Sequence, residues 1–293
     1  MSSIELKSRA KINLSIDVLG KRNDGYHLVE MIMQTIDLYD IIQIKEIDID
    51  EISINSNSGD IPLNENNIVY KAAKLLKNKF NIKRGVEIFI EKNIPVAAGM
   101  AGGSSNAAAV LVGLNKLWNL NLSERKLQEI GLKLGADVPF CISGNAALAQ
   151  GIGEELSYIK GLPKDTIILV CKPNLFVSTK DVYEGLDLKN IENRPDNNLL
   201  IQYLEKGNIN LLAKNMVNVL ETVTSKMHED IKYIENIMLE HNALGSMMSG
   251  SGPTVFGLFE NEEDALNGKI ELLKKYKQVH VVRSSEKGVE ING

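Results

Sequence analysis

An α+β protein of two domains is what this sequence predicts, and three observations carry it. Segments rich in Ile and Val alternate with segments of helical period along the whole chain. At 293 residues, 44% hydrophobic and 24% charged, the chain is long enough to fill two cores. Its second half alternates strands and helices in the manner of a sheet with helices packed on one face. The boundary falls near residues 155–165, giving domains 1–160 and 161–293.

In order, residues 7–19 and 31–47 read as extended, with Lys21-Arg22-Asn23-Asp24-Gly25 turning between them. Residues 66–80 have helical period and 86–91 strand period. PVAAGMAGGSSNAAAV, residues 95–110, follows; Ser104 or Ser105 is expected to cap a helix that buries Ala107, Val110, Leu111, Leu114 and Leu117. A helix over 123–134 begins with half a capping box, Ser123 with Lys126 in place of Glu, and runs into LGADVPF. A strand at 166–171 ends at Lys172-Pro173. Helices are expected near 179–185, 198–205, 209–219 and 228–241. Then come the strand-like ALGSMM, a second glycine stretch SGSGP, the strand TVFGLF, a helix over 262–276 and the strand QVHVVR.

Composition excludes several classes. The net charge is −5 and no basic run is long, so no nucleic-acid partner is expected. Cys141 and Cys171 are too far apart for a CxxC pattern and sit among apolar residues, so both are expected to be reduced and buried. His27 has no partner at i+4 on a helix face, which argues against zinc. The first twenty residues lack the apolar core of a signal peptide, predicting a cytoplasmic protein. Positions 93–115 carry no charge, and Gly99 and Gly103 have GxxxG spacing, but GGSSN at the centre makes a poor membrane span. No heptads and no large exposed apolar face can be read, so the sequence is silent on oligomeric state, monomer or homodimer.

The chemistry starts at residues 95–105. A strand, then Gly99, Gly102 and Gly103, then Ser104-Ser105 at a helix start, is an arrangement in which backbone N–H groups and the helix dipole meet an anion. Glycine lets oxyanions approach the amides, and the hydroxyls add donors or a magnesium ligand. Neither GxxxxGK[ST] nor a GxGxxG after a strand is present. A tight helix–sheet crossing would explain the same residues. Lys11 lies on an apolar strand, where it is either an edge lysine or an ammonium with a task. Asp137, in GADVPF, is either an Asx-turn residue or a carboxylate held for chemistry. Together with the loop they would make a phosphoryl-transfer site.

PVAAGMAGGSSNAAA resembles the ATP loop of the GHMP kinases, Pro-x-x-x-Gly-Leu-Gly-Ser-Ser, with Met100-Ala101-Gly102-Gly103 replacing Gly-Leu-Gly. AKINLSIDVLGKRNDGYHLVEMIMQTIDLYD, LGADVPFCISGNAALAQGIGE and MSGSGPTVFGLF extend the resemblance over nearly the whole chain, toward the branch acting on a cytidine diphosphate-linked methylerythritol. The resemblance implies a ribosomal protein S5 domain 2-like N-terminal domain, a ferredoxin-like α/β sandwich C-terminal domain, and a site in the cleft. It implies phosphorylation by ATP, with Mg²⁺, of the 2-hydroxyl of 4-diphosphocytidyl-2-C-methyl-D-erythritol in the non-mevalonate route to isoprenoid precursors; the magnesium ligands are not assigned.

Carried over by residue, Asp137 is the catalytic aspartate and Lys11 the lysine that keeps it ionised. Pro95, Val96, Ala97, Ala98, Gly99, Met100, Ala101, Gly102, Gly103, Ser104 and Ser105 form the nucleotide loop. His27 reads the cytosine edge, Tyr26 stacks or contacts the ribose, and Tyr183 lies on the other face of the cytosine. Asn13, on the strand face of Lys11, contacts substrate near the reacting hydroxyl. The 249–254 stretch closes over the phosphates or supports the first loop. Asn198 stands where many relatives carry an acid. Another small-molecule kinase of the superfamily, or a catalytically silent nucleotide-binding regulator of the same fold, stays open at this point.

Overall fold

The computed structural model describes residues 2–292. The chain opens with a long hairpin, β1 (Ser3–Lys21) and β2 (His27–Ile47), followed by β3 (Ile52–Ser56), α1 (Ile68–Phe80) and β4 (Gly85–Glu91). Then come α2 (Gly102–Leu117), α3 (Glu124–Gly131), α4 (Val138–Ser143), β5 (Ala146–Gln150) and β6 (Glu155–Ile159). The second half runs β7 (Ile167–Lys172), α5 (Thr179–Glu184), α6 (Asn197–Lys206), α7 (Ile209–Asn215), α8 (Glu221–Met227), α9 (Asp230–Glu240), β8 (Gly245–Met248), β9 (Val255–Phe259), α10 (Glu262–Leu273), β10 (Gln278–Arg283) and β11 (Val289–Asn292).

Two sheets result. The first has the order β11-β1-β2-β4-β3, with β5 and β6 continuing from β2; the second is β10-β7-β9-β8, antiparallel throughout. Among the strands of the described residues only β3 and β4, joined through α1, pair in parallel, as a helical crossover allows. β1 is buried without a break from Ser8 to Val18, because it lies in the middle of the first sheet and contacts the second half as well. Its Ile16 exchanges backbone hydrogen bonds with Val217 and Val219 at 2.9 and 3.0 Å.

Apolar side chains on α1 and α2 (Val69, Ala72, Leu76, Ala107, Leu111, Leu114) fill one core against β2 and β4. Two further cores take residues from both halves: Ile12, Ile32 and Ile36 pack with Ile168, Phe256 and Leu258, and Met31 and Phe140 with Leu169, Met248 and Val255. The fold is thus α+β, but its halves share hydrophobic interior.

Several expectations need correction. Neither Ser104 nor Ser105 caps α2, which starts earlier, at Gly102, from Ala101 in the left-handed region (φ 55°) with no side-chain cap. The helix starts there because Ala101 completes a kinked loop, leaving Ser105 inside the helix to donate to the Arg9 carbonyl at 2.6 Å. Residues 123–134 form a shorter helix, although Ser123 does cap it by accepting from the Lys126 N–H. VPF is not a turn; with Pro139 in its first turn it starts α4, Asp137 preceding it. Four short strands, β3, β5, β6 and β11, are additional to those expected. β11 departs from a division at residue 160, since it returns to pair with Glu5–Ser8 in the first sheet.

Candidate active site

The 95–105 loop joins β4 to α2, and its backbone is the unusual part. Ala97, Gly99 and Ala101 take φ of 51°, 72° and 55°. Positive φ at every second residue turns successive N–H groups inward to form a concavity suited to an anion, and for alanine it costs about 1–2 kcal/mol. Such a conformation persists only where its surroundings enforce it. At Gly99 the enforcement is plain: a Cβ there would lie 2.2 Å from the Ser249 carbonyl oxygen. The Ser249 hydroxyl donates to the Gly99 carbonyl at 3.0 Å, and a Cβ on Gly250 would lie 2.9 Å from that same oxygen. The second glycine stretch therefore buttresses the first loop.

A cavity of about 450 Å³ lies against this loop. Pro95, Val96, Ala97, Ala98, Gly99, Ala101, Gly102, Gly103 and Ser104 line it. Met100 and Ser105 do not: both are buried, and Met100 instead accepts a backbone hydrogen bond from Lys11 at 3.2 Å. That bond fastens the strand bearing Lys11 to the loop.

Beneath the loop lies a buried polar cluster that motif reading missed. Asp40, 0% exposed, pairs with the Lys92 ammonium and accepts from the Asn93 and Ile94 N–H groups at 2.7 and 2.8 Å and from the Asn106 amide at 2.7 Å. Asn106 also donates to Ser8 at 2.7 Å. Such a carboxylate is tolerable in the interior because charge and hydrogen bonds both compensate it. It fixes both ends of the loop, 92–94 and Asn106 near the start of α2, to β2. The available signal was phase: Asp40 falls in register with buried Leu38, Ile42 and Ile44 on one strand face.

Lys11 is 5% exposed, and register shifts of β1 against β2 bracket the stretch Lys11-Ile12-Asn13. Its ammonium donates to Asn13 Oδ1 at 2.6 Å, the two side chains sharing a strand face. Asn13 is 0% exposed and its amide donates to the Met31 sulfur at 3.2 Å. Asn13 thus holds Lys11 rather than reaching the cleft. Asp137 is half-buried, and among the described residues its carboxylate takes no hydrogen bond and forms no ion pair. The Asx-turn alternative is therefore absent, and so is the direct Lys11–Asp137 pair, because Asn13 is the nearer acceptor. Both charges nevertheless act on one buried thiol: burial pushes Cys141 up, Asp137 pushes it further and Lys11 opposes. Ser104 lies near this corner, 3.9 Å from where a Cβ on Gly135 would stand.

A second cavity, about 650 Å³, brings Tyr26, His27 and Tyr183 together with Lys21, Thr179 and Lys180. Tyr26 is 60% exposed on the hairpin turn. The His27 and Tyr183 rings touch, with centroids 4.9 Å apart, so no base fits between those two. Burial and Lys21 hold His27 below its usual value, against Glu184, which leaves a neutral imidazole with one donor and one acceptor near pH 7. Burial raises the Tyr183 phenol to about 12, Asp137 adding to the effect. The aromatic cavity and Asp137 are therefore close in space. Thr179 at its wall meets the Ser251 hydroxyl at 2.8 Å, linking it to the second glycine stretch. Asn198 is exposed on α6; its neighbour Asn197 is buried, bonded to Ser15 and Glu30.

Comparison with known proteins bears on the family and the fold. Residues 67–145 match the profile of the GHMP kinases N terminal domain and residues 200–278 that of the GHMP kinases C terminal. The chain is 73% identical over 293 residues to a 4-diphosphocytidyl-2-C-methyl-D-erythritol kinase of Clostridioides difficile strain 630, covering 100% of this chain and 99% of that one. It is 54% identical to the protein of the same name from Alkaliphilus metalliredigens strain QYMF, with 97% of each covered. A crystal structure of 4-(cytidine 5'-diphospho)-2C-methyl-D-erythritol kinase superposes with a TM-score of 0.82 at 29% identity, covering 96% of this chain and 100% of that one. Homoserine kinase from Cytophaga hutchinsonii shares the fold at 19% identity, with a TM-score of 0.80 over 100% of this chain and 98% of that one.

Proposed function

The chain belongs to the GHMP kinases, within them to the 4-diphosphocytidyl-2-C-methyl-D-erythritol kinases, and we propose how its own residues carry that reaction. The enzyme transfers a phosphoryl group from ATP to the 2-hydroxyl of 4-diphosphocytidyl-2-C-methyl-D-erythritol, a step of the non-mevalonate route to isoprenoid precursors. The observation supporting the assignment of residues is the alternating left-handed run Ala97, Gly99, Ala101 at the N-terminus of α2. Its inward N–H groups and the helix dipole receive the triphosphate.

Asp137, whose carboxylate has no other partner among the described residues, accepts or orients the proton of the attacking hydroxyl. Lys11, steered by Asn13 and tied through its backbone to Met100, supplies positive charge beside that hydroxyl without quenching Asp137 in a direct ion pair. Among the described residues no cluster of three or more His, Cys, Asp or Glu could hold a metal alone. Mg²⁺ would be held chiefly by the phosphates of ATP, with Ser104 the hydroxyl of this chain available to it, and would supply charge neutralisation when bound. The His27–Tyr183 pair forms one wall of the cytosine site, His27 offering a neutral edge; Tyr26 forms the exposed side.

The proposed units are 1–160 and 161–293, with β11 of the second pairing into the first sheet. No helix among the described residues is long and apolar enough to cross a membrane; a cytoplasmic enzyme, monomeric or homodimeric, accords with the sequence.

The test is ADP release from Mg²⁺-ATP with the cytidyl substrate, the corresponding erythritol phosphate lacking the cytidyl group, homoserine and mevalonate. Turnover confined to the first is expected. Preference for another alcohol would remove the roles given to Tyr26, His27 and Tyr183. Asp137→Ala should abolish turnover with ATP binding largely retained; loss of ATP binding would make the residue structural.

A further inference from the structure

Helix α10 has an apolar face on each side. Ala265, Gly268 and Leu272 are buried, and a Cβ on Gly268 would lie 3.1 Å from Leu169 of β7. Leu266, Ile270 and Leu273, spaced i, i+4, i+7 on the other side, are 43%, 62% and 46% exposed. A surface helix ordinarily turns charged and polar groups that way, so three large aliphatic side chains in one row mark an unpartnered surface.

The row lies toward the open edge of the second sheet. One flank of α10 meets the end of α9, where Asp264 accepts from the Asn242 amide at 3.0 Å. The other flank meets β10, where Glu262 pairs with Arg283 at 2.8 Å, and by helical spacing Leu266, Ile270 and Leu273 continue the line of Glu262. β10 ends the order β10-β7-β9-β8. Among the described residues no backbone hydrogen bond reaches Gln278–Val282 from outside that sheet. QVHVVR has three valines and no proline, and such an edge is a template for another strand unless it is covered.

We propose that this face binds a second copy of the chain about a two-fold axis beside Ile270, with α10 and β10 each antiparallel to its counterpart, so that two four-stranded sheets continue into one. Charge selects this occupant and its orientation. Acids flank the row at one end, Glu262 and Glu263, and bases at the other, Lys274 and Lys277. Glu263 lies seven residues before Ile270 and Lys277 seven after it. Both are exposed, and among the described residues neither forms an ion pair. An antiparallel copy therefore brings Lys277 of each chain to Glu263 of the other, Leu266 to Leu273, and Ile270 to itself. A parallel copy would set acid against acid. Spacing agrees: α10 packs over β10 and β7 alike, about half a strand inside the edge, so joining the edges sets the helix axes about 10 Å apart, the distance of packed helices. None of these residues lines the nucleotide or the aromatic cavity, so the dimer does not rest on the kinase reading.

The experiment is sedimentation velocity of the full chain from about 1 to about 200 μM, a range suited to a contact of modest area. The wild type should pass from one chain to two as concentration rises. Ile270→Glu puts like charges together on the axis and should raise the dissociation constant by about a hundredfold. Glu263→Lys and Lys277→Glu should each weaken self-association by about tenfold. Mixed in equal amounts, those two variants should form a heterodimer near wild-type strength, because each supplies the charge that the other has reversed. A wild type that stays a single chain throughout overturns the proposal. So does a dimer that Ile270→Glu leaves intact, or a mixture that associates no better than its components. Should Ile270→Glu fail to fold, the two charge variants, at exposed positions, decide alone.

Discussion

The hydroxyl of Ser249 donates to the carbonyl of Gly99 across 150 residues of chain, at 3.0 Å. That bond makes the two glycine-rich loops one piece of structure. Asn218 then holds the second loop by donating to the Met248 and Gly250 carbonyls, both at 2.8 Å. The geometry of the nucleotide loop in the first half is therefore set partly by residues of the second.

Gly99→Ala meets both constraints at once, a φ of 72° and a Cβ placed 2.2 Å from the Ser249 oxygen. The left-handed conformation alone costs about 1–2 kcal/mol, and relief of the clash must part the loops. Nucleotide affinity should fall by at least about tenfold, 1.4 kcal/mol per decade, in a direct binding assay. Unchanged affinity would mean that the loops separate in the working enzyme.

Asp40→Asn leaves the Lys92 ammonium, 6% exposed at its side chain, without its counter-ion. Breaking a buried pair by removing one partner costs about 3–5 kcal/mol. Urea unfolding should report a loss of that order, with weaker nucleotide binding in the folded fraction. A loss under about 1 kcal/mol would class the pair with surface ion pairs.

Tyr183→Ala removes the ring that packs on His27 at 4.9 Å. An aromatic–base contact is worth about 1–3 kcal/mol, so KM for the cytidyl substrate should rise by about 5- to 150-fold with kcat little changed. Tyr183→Phe should cost little, because among the described residues the phenol makes no hydrogen bond. A fall in kcat with KM unchanged would move the residue from base binding to chemistry.

Glu235 makes stability depend on pH in a direction opposite to most carboxylates. Its folded pKa is about 8 against an ordinary 4.5, so the native state keeps a proton that the unfolded chain gives up. Stability therefore declines as pH rises from about 5 to about 8. Glu221 and Lys232 are the charged groups that face it, Lys232 donating to both carboxylates. Glu235→Gln should flatten that part of the profile, measured as urea midpoints at pH 6 and pH 8. An equal slope in the variant would place the titration elsewhere.

What the sequence made legible followed strong periodicity. β1, β2, α1, β4, β9 and α10 announced themselves by apolar phase, and the loop by its density of small residues. Ala146–Gln150 is a strand despite three alanines, because hydrogen bonds to β2 and β6 override weak local preference. Ala97 and Ala101 carry no sign of positive φ, since alanine is not a residue type that favours that conformation. The roles of Asn13 and Asp40 hinge on which side chain lies nearest a lysine, a fact of three dimensions. The motifs led to Asp137 and the aromatic cavity, whereas Glu235, within an ordinary amphipathic helix, offered no pattern at all.

The pairing of Glu5–Ser8 with residues 289–292 also has a meaning in time. A ribosome adds about 5–20 residues per second, so the outer flank of the first strand waits on the order of tens of seconds for its neighbour. Throughout that interval it offers a row of unpaired amides and carbonyls to any passing strand. The nascent chain thus has a defined window of aggregation risk, and of chaperone need, that closes only when residue 292 leaves the exit tunnel.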